Sequence, residues 1–192
     1  TVAAQVLAAA IKNLFPNSKL AIGPTIDNGF YYDVLSDKTI SSEDLSAIEA
    51  EMQSLIESKS LINKSVHSKK EAVNLFKKKK EDYKIKIIKE SEQDKDFQIY
   101  TNNDTQFIDL CVGPHLPNLG FVGPFKLTKV AGAYWKGDSS NEMLTRIYGT
   151  AWRTNKELKS YLTQIEEAEK RDHRKIGKDL DLFSIQEDAG GG

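Results

Sequence analysis

The stretch KLAIGPTIDNGFYYDV, Lys19 to Val34, decides the fold class of this chain. Gly23-Pro24 and Asp27-Asn28-Gly29 stand between apolar or aromatic pieces, a pattern that predicts two strands around a tight loop. Side chains alternate between faces along a strand, so Tyr31 and Tyr32 must point to opposite sides. Upstream, Val6, Leu7, Ala10, Ile11 and Leu14 recur at three and four residues with alanines between them. That spacing predicts a helix over Val2 to Phe15, stopped by Pro16 and Asn17.

Downstream, Leu45, Ile48, Met52, Leu55 and Ile56 form one stripe, so a second helix is expected from Glu43 to Ser58 with Ser41 or Ser42 as its cap. Ser68 followed by Glu71 is a capping box and opens a third helix through Phe76. Tyr83 to Ile88 alternates apolar and charged residues and reads as a strand, Glu90 to Asp96 as a loop. Phe97 to Tyr100 and Phe107 to Cys111 read as short strands, and the prolines of Gly113 to Asn118 imply a rigid connection. Phe125 to Trp135 and Met143 to Trp152 read as two longer strands. Thr154 with Glu157 caps a long charged helix toward Arg174, and the tail from Glu187 to Gly192 is expected to be mobile. The sum is an α+β fold, an antiparallel sheet with packed helices over residues 1–152, then a long linker helix over 153–192.

Composition narrows the function. With 192 residues, 39% of them hydrophobic, the chain can bury a core. A formal net charge of −1 argues against indiscriminate coating of nucleic acid. Locally, however, Lys64 to Lys89 holds ten lysines against three acids, a phosphate-attracting patch. The single Cys111 cannot form an internal disulfide, and no apolar run is long enough to span a bilayer. We therefore expect a reducing, cytoplasmic setting, and the start at Thr1 reads as a piece of a longer polypeptide.

The one cluster of reactive side chains is Asp109-x-Cys111-x-x-x-His115. Such residues can ligate zinc, activate a thiolate or orient a hydrolytic water. Read alone, a single Cys is most often a small buried apolar residue, and a His beside proline is most often part of a turn. Lys84 either points to solvent or reaches into a cleft. Gly23, Gly29 and Gly113 permit close backbone approach, and Tyr32 or Tyr134 offers a ring to a base.

Five colinear strings then resemble threonyl-tRNA synthetase. They are Ala21-Ile22-Gly23-Pro24 through Asp33, Cys111-x-Gly113-Pro114-His115, Ala131 to Asp138, Arg146 to Trp152, and Lys170 to Gly177. The resemblance is to the amino-terminal editing domain and the linker helix that leads into the catalytic domain. It implies a site that receives the 3′ end of tRNA(Thr) charged in error with serine and hydrolyses the ester. One missing methyl yields only about 1–3 kcal/mol of discrimination, so a second sieve is needed. By resemblance, Cys111, His115, Lys84 and Asp109 line the hydrolytic pocket, and Tyr32 and Gly23 lie near the terminal adenosine or the seryl group.

The family also carries a His-x-x-x-His motif at the start of the first helix, whose two imidazoles share one helical face. Here Thr1 and Gln5 stand at those positions. Neither can act as a base near neutral pH, so the resemblance implies an editing domain with lost or strongly impaired hydrolysis and retained acceptor-end binding. An active hydrolase relying on Cys111, His115 and Lys84 is the alternative. A zinc-dependent relative specific for alanine is a third reading, weakened because two of its four ligands are replaced. No metal or cofactor is expected in this segment. ATP, magnesium and a zinc belong to the catalytic domain of the parent enzyme, which is expected to be a homodimer.

Overall fold

Alanine and leucine favour helix and bring no polar atoms, and the first helix is built from them. The computed structural model describes residues 2–59, 62–102, 107–110 and 122–189, with side chains apart from those of 62 and 175–189. In it α1 spans Val2–Leu14 and is buried at every position from Val2 to Ile11. A helix apolar on all sides has to sit inside the protein. Gln5 is the one polar side chain in that buried run.

After the Pro16 turn come β1 (Lys19–Leu20), β2 (Thr25–Ile26) and β3 (Gly29–Leu35). The β2–β3 hairpin turns through Asp27-Asn28, and Asn28 has φ 60°. Asparagine tolerates that left-handed conformation better than most residues. As expected from strand alternation, Tyr32 is buried while Tyr31 lies half-buried on the other face. Strands β4 (Ile62–His67), β5 (Phe97–Asn102), β6 (Ile108–Leu110), β7 (Phe125–Tyr134) and β8 (Met143–Ala151) follow. They form two antiparallel sheets. The larger has the order β1-β3-β8-β7 with β2 hydrogen-bonded to β3, and the smaller has the order β4-β5-β6.

Helix α2 (Leu45–Glu57) begins after a short 3-10 turn in which the Ser41 N–H donates to the Asp44 carboxylate at 2.8 Å. Its predicted stripe, Leu45, Ile48, Met52, Leu55 and Ile56, is buried throughout. Together α1 and α2 cover the face of the larger sheet that carries Phe30, Tyr32, Val34, Leu127 and Ile147. Burying such side chains contributes about 1.5–3 kcal/mol each. Helix α3 (Lys69–Lys78) starts where Ser68 Oγ accepts the Glu71 N–H at 3.2 Å, so the capping box is present.

Two sequence expectations change. Tyr83 to Ile88 is not a strand but part of a helix, α4 (Asp82–Glu90). The alternation of Tyr83, Ile85 and Ile87 competes with a second spacing, because Tyr83, Lys84, Ile87 and Ile88 share one helical side. Tertiary packing selects the latter, with Ile88 joining Ala72, Val73, Phe76, Phe97 and Ile99 in one cluster and Tyr83 joining Trp135 and Leu144 in another. The chain is turned into α4 by a Schellman closure of α3. Lys80 sits at φ 57°, the Glu81 N–H donates to the Phe76 carbonyl at 3.0 Å, and the Lys80 N–H to the Lys77 carbonyl at 3.1 Å. The second change is β4, an edge strand that the polar string Asn63 to His67 conceals. It pairs with β5 along its length while Val66 stays exposed.

The chain divides into two compact units, one ending at Ala151 and one beginning at Trp152. The second is built on α5 (Asn155–Ala189), which extends well past Arg174 and includes residues 187–189 of the tail. Thr154 Oγ1 accepts the Glu157 N–H at 3.2 Å, and the Trp152 and Tyr161 rings meet at 5.2 Å between centroids. Among the described residues no helix is long and apolar enough to cross a membrane.

Candidate functional site

Strand alternation on the smaller sheet prepares the site. Phe97 and Ile99 of β5, with Ile108 and Leu110 of β6, face α3 and α4. The intervening residue Asp109 pairs with Tyr100 in the ladder and therefore faces the other way. Three elements bring polar groups to it. Lys84 Nζ of α4 lies 2.7 Å from Asp109 Oδ1, and both side chains are at least nine-tenths buried, with 4% and 5% exposure. Lys84 Nζ also donates to the Tyr32 hydroxyl at 2.8 Å, and that hydroxyl lies 3.2 Å from each Asp109 carboxylate oxygen. Lys84 thus reaches inward, away from the basic patch, and does so from a helix.

A buried ion pair is held only when the surrounding geometry fixes it, and here two supports do so. Glu81, just before α4, is buried; its carboxylate accepts the Leu20 N–H at 2.8 Å and pairs with Lys12 of α1 at 2.6 Å. The start of α4 is thereby fastened to β1 and α1, three residues from Lys84. The second support is Gly23. A Cβ built there would lie 2.2 Å from Cδ2 and 2.5 Å from Cε2 of Tyr32, so the absence of a side chain lets the Tyr32 ring lie against the backbone. On the outer face of β3, Arg146 grips Asp33 at 2.8 and 2.9 Å and lies 4.0 Å over the Tyr31 ring. Its hydrogen bonds to Asp33 raise the Arg146 pKa beyond its ordinary value.

Gln5 of α1 lines a cavity of about 20 Å³ together with Val6, Ala9, Tyr100, Asn102 and Asp109 among others. The structure therefore brings together Lys84, Asp109 and Tyr32 in direct contact, Gly23 beneath Tyr32, and Gln5 across a small cavity from Asp109. Cys111, His115, Gly113 and Thr1 lie outside the described residues. Glu81, Lys12, Tyr100 and Asn102 are the members that sequence reading overlooks. Glu81 carries no signal in sequence beyond its charge within a lysine-rich run. Of the lysines between 64 and 89, Lys64, Lys70, Lys77, Lys78, Lys79, Lys80, Lys86 and Lys89 are exposed. Tyr134 is 40% exposed, while Trp135 is a core residue.

Residues 97–148 match the family described as the threonyl and alanyl tRNA synthetase second additional domain. Over 98% of its length the chain is similar to threonine–tRNA ligases. It is 53% identical over 189 residues to that of Nitrosococcus oceani, 52% over 189 to that of Acidithiobacillus ferrooxidans and 54% over 188 to that of Francisella philomiragia. The chain spans about 29% of the length of these curated relatives. The resemblance to threonyl-tRNA synthetase, in its amino-terminal editing region, thus holds across nearly the whole chain.

Proposed function

We propose that this segment is an editing-type module that receives the aminoacylated 3′ end of tRNA(Thr), with hydrolysis of a seryl ester lost or strongly impaired. The observation that supports this reading is that Gln5, at the position of a family histidine, lines the same cavity as Asp109. A primary amide neither takes nor gives a proton near neutral pH, whereas imidazole does both. Removing a general acid–base typically costs about 10²–10⁴-fold in rate. The Lys84–Tyr32–Asp109 cluster is a fixed, water-poor wall suited to binding the acceptor end, and the eight exposed lysines suit phosphate.

In this reading residues 1–152 are the editing-type domain and 153–192 the linker into the remainder of the synthetase. The segment works in the cytoplasm as part of that longer, homodimeric chain. Joining threonine to tRNA, with its ATP, magnesium and zinc, belongs to that remainder, while the family resemblance assigns Cys111 and His115 to the hydrolytic chemistry of this segment.

The test is deacylation of Ser-tRNA(Thr), with Thr-tRNA(Thr) as control, by the unmodified protein and by a Thr1→His/Gln5→His variant. The expected result is a rate near the spontaneous one for the former and a gain for the latter. Efficient clearance by the unmodified protein would overturn the reading in favour of an active hydrolase built on Cys111, His115 and Lys84. If neither cleaves and neither binds the seryl ester, retention of acceptor-end binding is also refuted.

A further inference from the structure

A second set of reactive side chains lies on the other side of the smaller sheet from Asp109. In the β4–β5 ladder Ser65 pairs with Ile99 and His67 with Phe97, so both stand on the face that turns toward α3 and α4. Asp109 pairs with Tyr100 and faces the opposite way. Two positions apart on one strand face, Ser65 Oγ and His67 Nε2 lie 2.7 Å from each other. The other ring nitrogen of His67, Nδ1, lies 3.2 Å from Glu71 Oε2.

The carboxylate decides where the imidazole proton sits. An ionised carboxylate can only accept, so Glu71 fixes that proton on Nδ1. In the neutral ring Nε2 is then an acceptor, and the Ser65 hydroxyl donates to it. The competing acceptor, the Ile99 carbonyl, is farther away at 3.4 Å. Glu71 is itself held in place. Its N–H donates to Ser68 Oγ at 3.2 Å, while the Lys69 N–H donates to the Asp94 carbonyl at 3.1 Å and Lys69 Nζ to the Ser91 carbonyl at 2.8 Å. Ser65 and His67 belong to the same strand, so their hydrogen bond fastens no two elements together. A hydroxyl on a base that a third group orients is the arrangement of an activated nucleophile, recognised by geometry and not by order in the chain. Small solutes can reach it, since Ser65 is half-buried and the His67 and Glu71 side chains are 23% and 63% exposed.

We propose that Ser65, His67 and Glu71 form an acyl-accepting site for activated esters of small carboxylic acids. Ser65 Oγ attacks the ester carbonyl, and its new C–O bond forms as the bond to the leaving alcohol breaks. The hydroxyl proton passes to His67 Nε2 and from there to the departing oxygen, while Glu71 balances the transient imidazolium. The products are an ester on Ser65 and the free alcohol. The site shares no residue with the Lys84–Tyr32–Asp109 cluster, so its test is independent of any reading of seryl-ester hydrolysis.

The test is incubation of the unmodified protein with p-nitrophenyl acetate, with the acetylated positions located and timed by peptide mass spectrometry. Ser65 is expected to be acetylated about 10²-fold faster than Ser68, whose hydroxyl oxygen accepts the Glu71 N–H instead of facing a base. In urea-unfolded protein this preference is expected to disappear, and its persistence would show that the fold does not create it. His67→Gln keeps a hydrogen-bonding side chain but supplies no base, and it is expected to slow acetylation of Ser65 by about 10²-fold. A Ser65 rate unchanged in His67→Gln overturns the proposal. So does equal acetylation of Ser65 and Ser68 in the folded, unmodified protein, a result that needs no variant.

Discussion

Lys84 on α4 and Asp109 on β6 are 2.7 Å apart in a region where neither side chain is more than 5% exposed, so each neutralises a charge largely withdrawn from solvent. Removing one partner leaves the other buried and unmatched, at a cost of about 3–5 kcal/mol. Lys84→Met and Asp109→Leu are each expected to lower the urea midpoint by an amount of that order. The double variant is expected to recover most of the loss, because two apolar side chains can replace a buried pair. A double-mutant cycle by urea unfolding measures this, and additive losses would show that the two residues act separately.

Gly23→Ala is expected to destabilise the domain by about 1–3 kcal/mol, the range for overpacking. The new methyl would sit 2.2 Å from the Tyr32 ring, which is held at its other end by Lys84 and Asp109 and cannot simply swing away. Thermal unfolding gives the magnitude, and near-UV circular dichroism reports the displaced tyrosine. An unchanged melting temperature would mean that the ring has room to move.

Lys80 occupies a left-handed conformation at the end of α3, φ 57°, where a side chain is strained and glycine is not. Lys80→Gly is expected to stabilise the domain by about 1 kcal/mol, since a side chain in the left-handed region costs roughly 1–2 kcal/mol and the greater entropy loss of glycine offsets part of the gain. Chemical denaturation decides it. A loss of stability would show that the lysine makes a contact worth more than the strain.

Tyr83 should make stability fall in alkali. Burial raises its pKa first, and its hydrogen bond to Glu142 at 2.5 Å raises it further. A phenol whose folded pKa lies above the unfolded value contributes stability that is fully present below the unfolded pKa, near 10. That contribution is lost as pH rises through the folded value. Urea midpoints between pH 8 and 11 should therefore decline more steeply above about pH 10 for the unmodified protein than for Tyr83→Phe. Parallel declines would count against the buried hydrogen bond.

How far the sequence can be read depends on whether local pattern and tertiary packing agree. At α1, α2 and the β7–β8 pair they agree, since spacing, caps and turn residues all favour what forms. At Tyr83 to Ile88 two periodicities are written into one string, and only the partners Phe76, Ile99 and Trp135 decide between them. β4 is invisible for the opposite reason, because it is held by backbone pairing to β5 and leaves Val66 exposed. The site shows the same division. Asp109 stands out in the one reactive cluster and Lys84, Tyr32 and Gly23 as residues able to face a ligand, but that they share one site enters only through the family resemblance. Glu81 and Lys12 act by fastening α4 across 69 positions of chain, a relationship with no local signature.

The opposed faces of β5 and β6 also bear on how the chain finds its alignment during folding. A slip of one position would present Ile108 or Leu110 to Lys84 and press Asp109 into the apolar cluster beneath α3. Either error strands a bare charge in an oily setting. The same arithmetic governs insertion and deletion within these strands, where adding one residue would invert the ladder beyond it. The ion pair thus works as a parity check on strand alignment, rejecting mispaired forms that hydrophobicity alone would tolerate.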